Sequence, residues 1–539
     1  MKASYLLLVG LLLIHSTSSA STQPGIKVIQ DGTKRLFIPL ERMTLEIDAR
    51  LEALTVLQAL THFWGIDRDS SQYLSSIEKH FGKFRNHNAV RLLSSFYQKG
   101  IWEEVPYETF LALDYNFSPK QDIVSPKAIN IQSDIDTAKL FIREVQRFAR
   151  ESHFDEFFKE QIPYYSERLQ TLARNLERFD DISAMEALYG ETHESSCVIL
   201  LPLDYASKGI VITRTSGSKQ ACVLYGLGEF EGSTVPSRKR FTSLLWHEMG
   251  HTFVNHITYD SLATIHKYQY CYAFLTETES LGYPTWDVVV NEQIVRGASA
   301  YGVERTLGEE ASKSIVREEE REGFLFTNCV RQSFLDFHRQ RSKYKSFRDF
   351  LPTLMMSFDT TSAKKERRNF IPALRSFTFD SSIVIYPSNE NHDAADSVMG
   401  DVQSFYNRKL ISRHCSLMPD TAALRGDLRG KRLVIIGSYF GNKYLAHHKK
   451  ELPFGFNPQG ITLDTLVARS TLALVTSWYN PADPDYPAII LTSNRSSNII
   501  GLLDRFPTFT TNFVLFDGRR VLDYGAFTRV DDRWRIDPN

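Results

Sequence analysis

Hydrophobic residues recur at helical spacing along much of the first half of the chain, and shorter strand-like runs follow them. An apolar stripe of leucine and isoleucine over residues 43–64 predicts a helix. Two long amphipathic helices are expected over residues 133–179, and the aromatic stripe of the second is typical of core packing. Strand signals at residues 197–203, 209–215 and 221–226, separated by turn-rich segments, predict a small antiparallel sheet.

After a polar, basic stretch at residues 361–369, the pattern changes to strands that alternate with helices, which indicates a small α/β domain. The expected strands are residues 382–386, 432–437, 472–477 and 486–492, and the expected helices are residues 394–407, 443–451 and 497–506. The loop Gly437-Ser438-Tyr439-Phe440-Gly441 lacks the pattern of a P-loop, so no phosphate site is predicted there. The fold class expected for the whole chain is α+β.

The first twenty residues have the features of a secretory signal. Lys2 gives a positive start, residues 5–14 form an apolar run, and Ser18-Ser19-Ala20 is a small-residue cleavage site. The apolar run is too short to span a bilayer, and no later run approaches the length of a membrane span. We therefore expect an exported protein, periplasmic or secreted, with no stable membrane insertion after cleavage.

These patterns divide the chain into four segments. The predicted segments are a signal peptide over residues 1–20, a mainly helical N-terminal region over 21–125, a catalytic domain over 126–360 and a C-terminal α/β accessory domain over 375–539. The 63 Lys and Arg residues nearly balance the 64 Asp and Glu residues, so charge gives no basis for binding nucleic acid. The sequence does not predict an oligomeric state.

Five cysteines are present, and export permits disulfides among them. Cys197 and Cys222 lie on two predicted neighbouring strands, so this pair is the expected disulfide. The remaining cysteines are widely spaced and show no CxxC metal pattern, which favours buried thiols.

The stretch Trp246-His247-Glu248-Met249-Gly250-His251 carries an HExxH motif within an apolar helical pattern. Residues four apart lie on one face of a helix, so His247 and His251 are expected to direct two imidazoles at one zinc ion. Glu248 is then placed to take a proton from a metal-activated water.

A catalytic zinc usually takes a third protein ligand, and the metzincin arrangement is excluded for this chain. That arrangement needs glycine and histidine where the sequence has Val254 and Ile257, and His256 is one residue out of register. The remaining candidates are glutamates on a later segment.

Those glutamates are Glu277, Glu279 and Glu292, and we favour Glu292. It follows Asn291 within a periodic apolar helix, which resembles the Asn-Glu pair of thermolysin-like gluzincins. The Asp that follows the ligand there by four residues is replaced here by Arg296. This arginine is expected to hold the Glu292 carboxylate or to contact a substrate carboxylate, and the partner of the motif histidines stays unassigned.

With these residues in view, the chain resembles an uncharacterised family of exported bacterial proteins regarded as zinc metallopeptidases. The resemblance covers roughly residues 30–350 and rests on Phe154-Asp155-Glu156-Phe157-Phe158, the HExxH core and Asn291-Glu292. It implies a gluzincin-like zincin fold and gives no substrate. The C-terminal part, including Trp478-Tyr479-Asn480-Pro481, is similar to accessory α/β domains of other exported hydrolases.

The expected function is therefore that of an exported zinc-dependent metallopeptidase acting on a peptide or protein substrate. Zn2+ would be held by His247, His251 and Glu292, with Glu248 as the general base. The suggested oxyanion donor is Tyr283, with Tyr301, His266 and Tyr270 as open alternatives. Two other functions stay open: a non-catalytic exported binding protein on a zincin scaffold, and a zinc hydrolase of non-peptide amides.

Overall fold

The computed structural model of the chain covers parts of the sequence from residue 27 onward. The described residues are 27–31, 34–63, 72–99, 104–124, 135–174, 176, 180–205, 207–227, 237–275, 283, 285–359, 371–377, 379, 381–410, 413–457, 460–463, 466–469, 471–503, 511–530 and 533–536. The predicted signal peptide, Glu277 and Glu279 lie outside these residues. Export therefore stays a prediction from the sequence.

The described part of the chain has a mixed α+β fold, with a helical middle and a C-terminal β region. This confirms the expected α+β class. The helices before the HExxH segment are α1 (Ala49–Thr61), α2 (Gln72–Phe81), α3 (Asn88–Gln98), α4 (Glu104–Leu111), α5 (Ile135–Glu151), α6 (Phe154–Glu160), α7 (Ile162–Arg174) and α8 (Asp181–Tyr189). The aromatic stripe of the second predicted helix is core, because Phe154, Phe157, Phe158 and Tyr165 are all buried.

A six-stranded mixed sheet lies beside these helices. Its strands are β1 (Ile29–Asp31), β2 (Arg35–Pro39), β3 (Thr44–Asp48), β4 (Ser195–Leu201), β5 (Lys208–Thr213) and β6 (Lys219–Gly226), in the order β1-β2-β3-β4-β6-β5. Residues 44–48 are thus a strand and not the start of the predicted helix. The reason is that β3 pairs with β4, a partner far away in the sequence, in parallel register.

The three strands predicted before the HExxH segment are present, but their pairing differs from the small antiparallel sheet that we expected. Strand β5 pairs antiparallel with β6, while β4 pairs with β6 in parallel, so β5 is at the end of the sheet. Cys197 and Cys222 face each other across β4 and β6. Their Sγ atoms are 3.1 Å apart as two contacting free thiols, in place of the predicted disulfide.

Two long helices form the centre of the helical middle. They are α9 (Arg238–Tyr259), which carries the HExxH motif, and α11 (Trp286–Leu307), and the short α10 (Leu262–Ile265) lies between them. Close approach of α9 and α11 depends on Gly302, where a Cβ would lie 2.3 Å from the Trp246 ring. The helices that follow are α12 (Glu309–Arg321), α13 (Thr327–Arg339) and α14 (Phe347–Met355).

The C-terminal region is built on a seven-stranded sheet in the order β16-β15-β13-β14-β9-β7-β8. Its strands are β7 (Ile383–Tyr386), β8 (Ser416–Pro419), β9 (Leu433–Ile436), β13 (Leu472–Asn480), β14 (Asp483–Ser493), β15 (Phe513–Asp517) and β16 (Arg520–Gly525). Strands β8, β7, β9 and β14 pair in parallel, and the neighbouring pairs β14–β13, β13–β15 and β15–β16 are antiparallel. Smaller sheets comprise β10 (Phe454–Asn457), β11 (Gly460–Leu463) and β12 (Leu466–Arg469), and β17 (Phe527–Val530) with β18 (Arg533–Ile536).

All four strands predicted in this region are present, but two of its three predicted helices are shorter than expected. The helices are α15 (His392–Phe405), α16 (Asp420–Ala423) and α17 (Lys443–His447). At the third predicted helix the structure has a 3-10 turn, Ser496–Asn498, and residues 504–510 are outside the described part. The region is therefore richer in strand than the predicted α/β alternation.

Polar contacts join the C-terminal region to the helical middle. Arg375 pairs with Glu322 at 2.6 Å, and the backbone N–H of Ala373 donates to the carbonyl of Arg321 at 2.6 Å. The predicted segment boundaries stay predictions. Of the described helices, none has the length and apolar character needed to cross a membrane.

Candidate metal centre

Helix α9 presents His247, Glu248 and His251 within one turn. The Nε2 atoms of the two histidines lie 3.3 Å apart, as the four-residue spacing predicts. One ligand atom from each of the three residues lies within 4.8 Å of the others. The imidazoles retain 17% and 16% exposure, so an ion from solvent has access to them.

Glu292 reaches the same point from α11. Its Oε1 is 3.4 Å from Nε2 of His251, and its Oε2 is 3.7 Å from Nε2 of His247. The carboxylate is nearly buried, with 10% of the side chain exposed. The structure thus brings together the three residues that the sequence selected as ligands.

The separations between these atoms fit one small cation. Two ligand atoms bound to zinc at roughly 2.0–2.1 Å in a tetrahedron are about 3.3–3.4 Å apart. The His247–His251 and His251–Glu292 Oε1 separations, 3.3 and 3.4 Å, match that spacing, whereas the 3.7 Å separation from His247 belongs to the other carboxylate oxygen, Oε2. Two imidazoles and a carboxylate are also a donor set that zinc accepts.

The environments of the two histidines suit metal binding. Burial lowers the pKa of His247 well below its usual value, and the charge of Arg296 lowers it further, so this imidazole is neutral at physiological pH. His251 Nδ1 lies 3.1 Å from Oδ1 of Asn255. An N–H donated to that oxygen leaves the lone pair on Nε2, which faces His247 and Glu292.

Arg296 contacts Oε2 of Glu292, the carboxylate oxygen that also faces His247. Its guanidinium lies 3.1 Å from Oε2 of Glu292, pairs with Glu319 and stacks 3.7 Å above the Phe324 ring. Burial alone would lower the pKa of Arg296, but the carboxylates of Glu319 and Glu292 raise it. The arginine is therefore charged, and it holds one oxygen of Glu292 while the other faces His251.

Glu248 lies beside the ligands against strand β5. Burial, with a smaller contribution from the nearby carboxylate of Glu292, raises the pKa of Glu248 to about 7 against the lowering effect of His251. A Cβ at Gly209 on β5 would lie 1.8 Å from the carbonyl oxygen of Glu248, so only glycine permits this contact. A carboxyl with this pKa both accepts and returns a proton near neutral pH.

Residues 43–357, which contain this centre, match the family model described as a domain of unknown function, DUF4932. The chain belongs to the DUF4932 family. No curated protein matches the chain, and no solved structure does. Since the family has no described function, any function must be argued from the residues of the DUF4932 domain.

The other residues suggested from the sequence separate into two groups in the DUF4932 domain. Tyr283 lies beside the centre, with its hydroxyl 3.4 Å from Nη2 of Arg296, and burial raises the pKa of Tyr283 to about 12. Tyr301 instead packs against Trp246 and accepts a hydrogen bond from Arg305. Tyr270 and His266 are exposed on the segment after α10, and His256 pairs with Glu191.

Two supporting residues were missed by reasoning from the sequence. Asn255, the partner of His251, is four residues further along the same helix, so helical spacing carried a signal for it. Glu319, the partner of Arg296, belongs to α12, and no spacing in the sequence relates it to α11.

Proposed function

We propose that this chain is an exported zinc-dependent metallopeptidase with a gluzincin-like catalytic lobe. The observation that carries the proposal is the convergence of two imidazole nitrogens, 3.3 Å apart, and one carboxylate whose oxygens lie 3.4 and 3.7 Å from them, a donor set that zinc accepts. His247, His251 and Glu292 would hold the zinc. Glu248 also lies within 4.8 Å of the imidazoles, but the arginine contact to Glu292 favours Glu292 as the third ligand.

A bound zinc ion supplies Lewis-acid chemistry at this point, polarising a substrate carbonyl and a water molecule. Glu248 accepts the proton of the attacking water and passes it to the leaving amine, a role that fits a carboxyl with a pKa of about 7. Asn255 and Arg296 fix the orientations of His251 and Glu292. The hydroxyl of Tyr283, beside Arg296, is the donor we assign to the developing oxyanion.

The position of β5 supports a peptide as substrate. It is the end strand of its sheet within the described residues, and Gly209 packs it directly against Glu248. Residues 122–124 pair with the last residue of β5 and the turn after it. The N–H of Val124 donates to the carbonyl of Thr213 at 2.9 Å, and the N–H of Thr215 donates to the carbonyl of Asp122 at 2.8 Å. An extended peptide that pairs with the beginning of β5 would lie next to the general base.

Metal analysis of the purified mature chain, paired with hydrolysis of a mixed peptide library, tests this proposal. We expect about one zinc per chain. Glu248→Gln should keep the zinc and lose roughly 10²–10⁴-fold in rate, because the amide cannot accept the proton. Glu292→Gln should instead weaken zinc binding, because it removes a charged ligand.

Glu191→Gln is the matched control, because Glu191 pairs with His256 on the same helix and away from the centre. Its zinc content and rate should equal those of the wild type. Stoichiometric zinc in a chain carrying both His247→Ala and His251→Ala would overturn the site. Full zinc affinity in Glu292→Gln would require the third ligand to be sought at Glu248, Glu277 or Glu279.

A further inference from the structure

The parallel strands of the C-terminal region end at one edge of the sheet, and the order of the strands changes direction there. Strand β8, which follows β7 in the chain, lies on one side of β7, and the next strand, β9, lies on the other side of β7. Ligands of open α/β sheets bind at such switch points, outside the carboxyl ends of the strands. In this chain a cavity of about 580 Å³ occupies that position, a size typical of small-molecule sites.

The cavity is formed by the loops that follow β7, β9 and β14, and Glu390 ties these loops together. Its carboxylate accepts the backbone N–H and the hydroxyl of Ser438, each at 2.6 Å, and the hydroxyl of Ser496. The loop after β9 is also bonded to its neighbours on both sides. Asn389 N–H donates to Gly441 at 3.0 Å, and Tyr439 N–H donates to Ser493 at 2.9 Å.

The lining is rich in neutral hydrogen-bonding groups and carries one exposed aromatic ring. The amides and hydroxyls belong to Asn389, Asn391, Ser438, Asn494, Ser496 and Ser497. Phe440 is 66% exposed although its neighbour Tyr439 stacks on Phe456 at 4.2 Å. A large apolar ring held open on a rigid loop offers a stacking surface.

The charges at the cavity exclude the simplest ionic ligands. An anion would compete with the carboxylate of Glu390 for the N–H and hydroxyl of Ser438 and for the hydroxyl of Ser496, which already donate to it. A cation would meet Arg495, the one charged residue among the described lining residues. A neutral ligand with many hydroxyl or amide groups satisfies the lining better.

We propose that this cavity binds a neutral saccharide, with the amides of Asn389, Asn391 and Asn494 and the hydroxyl of Ser497 paired to the sugar hydroxyls and the Phe440 ring stacked on the apolar face of the sugar. The site lies outside the DUF4932 match and does not depend on the metal centre.

Calorimetric titration of the mature full-length chain with triacetylchitotriose, maltotriose and cellotriose tests this site. At least one of these sugars should bind one per chain, with or without a metal chelator. Phe440→Ala should weaken that binding by about tenfold or more. Ser497→Trp, at an exposed position of the lining, should abolish it by filling the cavity.

Tyr524→Ala is the matched control, because Tyr524 is a 55% exposed aromatic residue on β16 of the same region. It should bind sugar as the wild type does. Absence of binding by all three sugars would overturn the proposal, as would wild-type affinity in both Phe440→Ala and Ser497→Trp. Binding of inorganic phosphate that Arg495→Ala abolishes would show an anion site instead.

Discussion

One buried carboxylate lies at each of the two candidate sites of this molecule, and the two carboxylates have different polar partners. Glu292, in the helical middle, shares a nearly buried position with a charged arginine and two imidazoles. Glu390, at the edge of the C-terminal sheet, accepts hydrogen bonds from a neutral N–H and two neutral hydroxyls among the residues that the structure describes. The first carboxylate keeps an oxygen directed at neighbouring nitrogens, whereas the second uses its oxygens to join loops.

This difference separates the candidate metal centre from a carboxylate that joins loops. A carboxylate held by one arginine on one oxygen retains lone pairs for a cation, and the imidazoles opposite it supply the other ligands. A carboxylate surrounded by neutral donors has its lone pairs in use, so it stabilises its loops and leaves the ligand to the surrounding amides. The partners of a buried carboxylate thus indicate its role.

Loss of the Arg296 guanidinium should cause the largest loss of stability, because the carboxylate of Glu292 depends on this charge. Arg296→Met leaves the carboxylates of Glu292 and Glu319 buried without a cation, and breaking such a pair costs about 3–5 kcal/mol. Hydrogen exchange of peptides from α11 and α12 would measure this loss, and zinc affinity should fall about 10–100-fold.

Arg375→Met is the matched control, because Arg375 also pairs with a glutamate but is 45% exposed. Its effect should stay within about 1 kcal/mol. If Arg296→Met and Arg375→Met lost the same stability, burial would not be the reason that the ion pairs of Arg296 stabilise the protein.

The residues of the metal centre differ in how far the sequence predicts them. His247, Glu248 and His251 lie on one helix, so their relative positions follow from helical geometry alone. Glu292 was selected through its resemblance to a known Asn-Glu pair, and the packing of Gly302 against Trp246 sets how closely its helix approaches α9. Contacts between helices depend on such packing, which no local spacing encodes.

The sheets show the same limit. The three strands before α9 were predicted from their own residues, and each is present within two residues of the expected position. The cysteine positions predicted β4 and β6 as neighbours, which is confirmed, but the antiparallel direction was wrong, since β4 lies between β3 and β6 and pairs with both in parallel. Burial patterns mark a strand, but its neighbours are selected by packing of the whole chain, including residues 44–48.

A third carboxylate, Glu52, sharpens the comparison because, among the described residues, its hydrogen-bond donors are two tyrosine hydroxyls and include neither an arginine nor a backbone N–H. It accepts hydrogen bonds from the hydroxyls of Tyr73 and Tyr165, and burial raises the pKa of Glu52 to about 7 against these bonds. The native state therefore keeps this carboxyl protonated where the unfolded chain, with a pKa of 4.5, ionises it. The contribution of Glu52 to the free energy of unfolding is complete below about pH 4.5 and is lost as the pH rises through about 7.

Urea unfolding of the wild type and of Glu52→Gln across this pH range would measure the effect. The stability of the wild type relative to the variant should fall by about 3 kcal/mol between the two ends. Because the glutamine does not titrate, it isolates this one group. A difference that is constant with pH would mean that Glu52 is ionised in the folded protein.

The smallest effect is expected at Glu390. In Glu390→Gln, the amide oxygen still accepts from Ser438, and the hydroxyl of Ser496 can turn to accept from the new amide N–H, so about 1–2 kcal/mol of local stability should be lost. Hydrogen exchange of the loops after β7, β9 and β14 would detect this loss. Zinc content and peptide hydrolysis should equal those of the wild type, because no ligand of the metal centre is altered. A loss as large as that of Arg296→Met would show that Glu390 also depends on its charge, and the distinction between the two carboxylates would then be wrong.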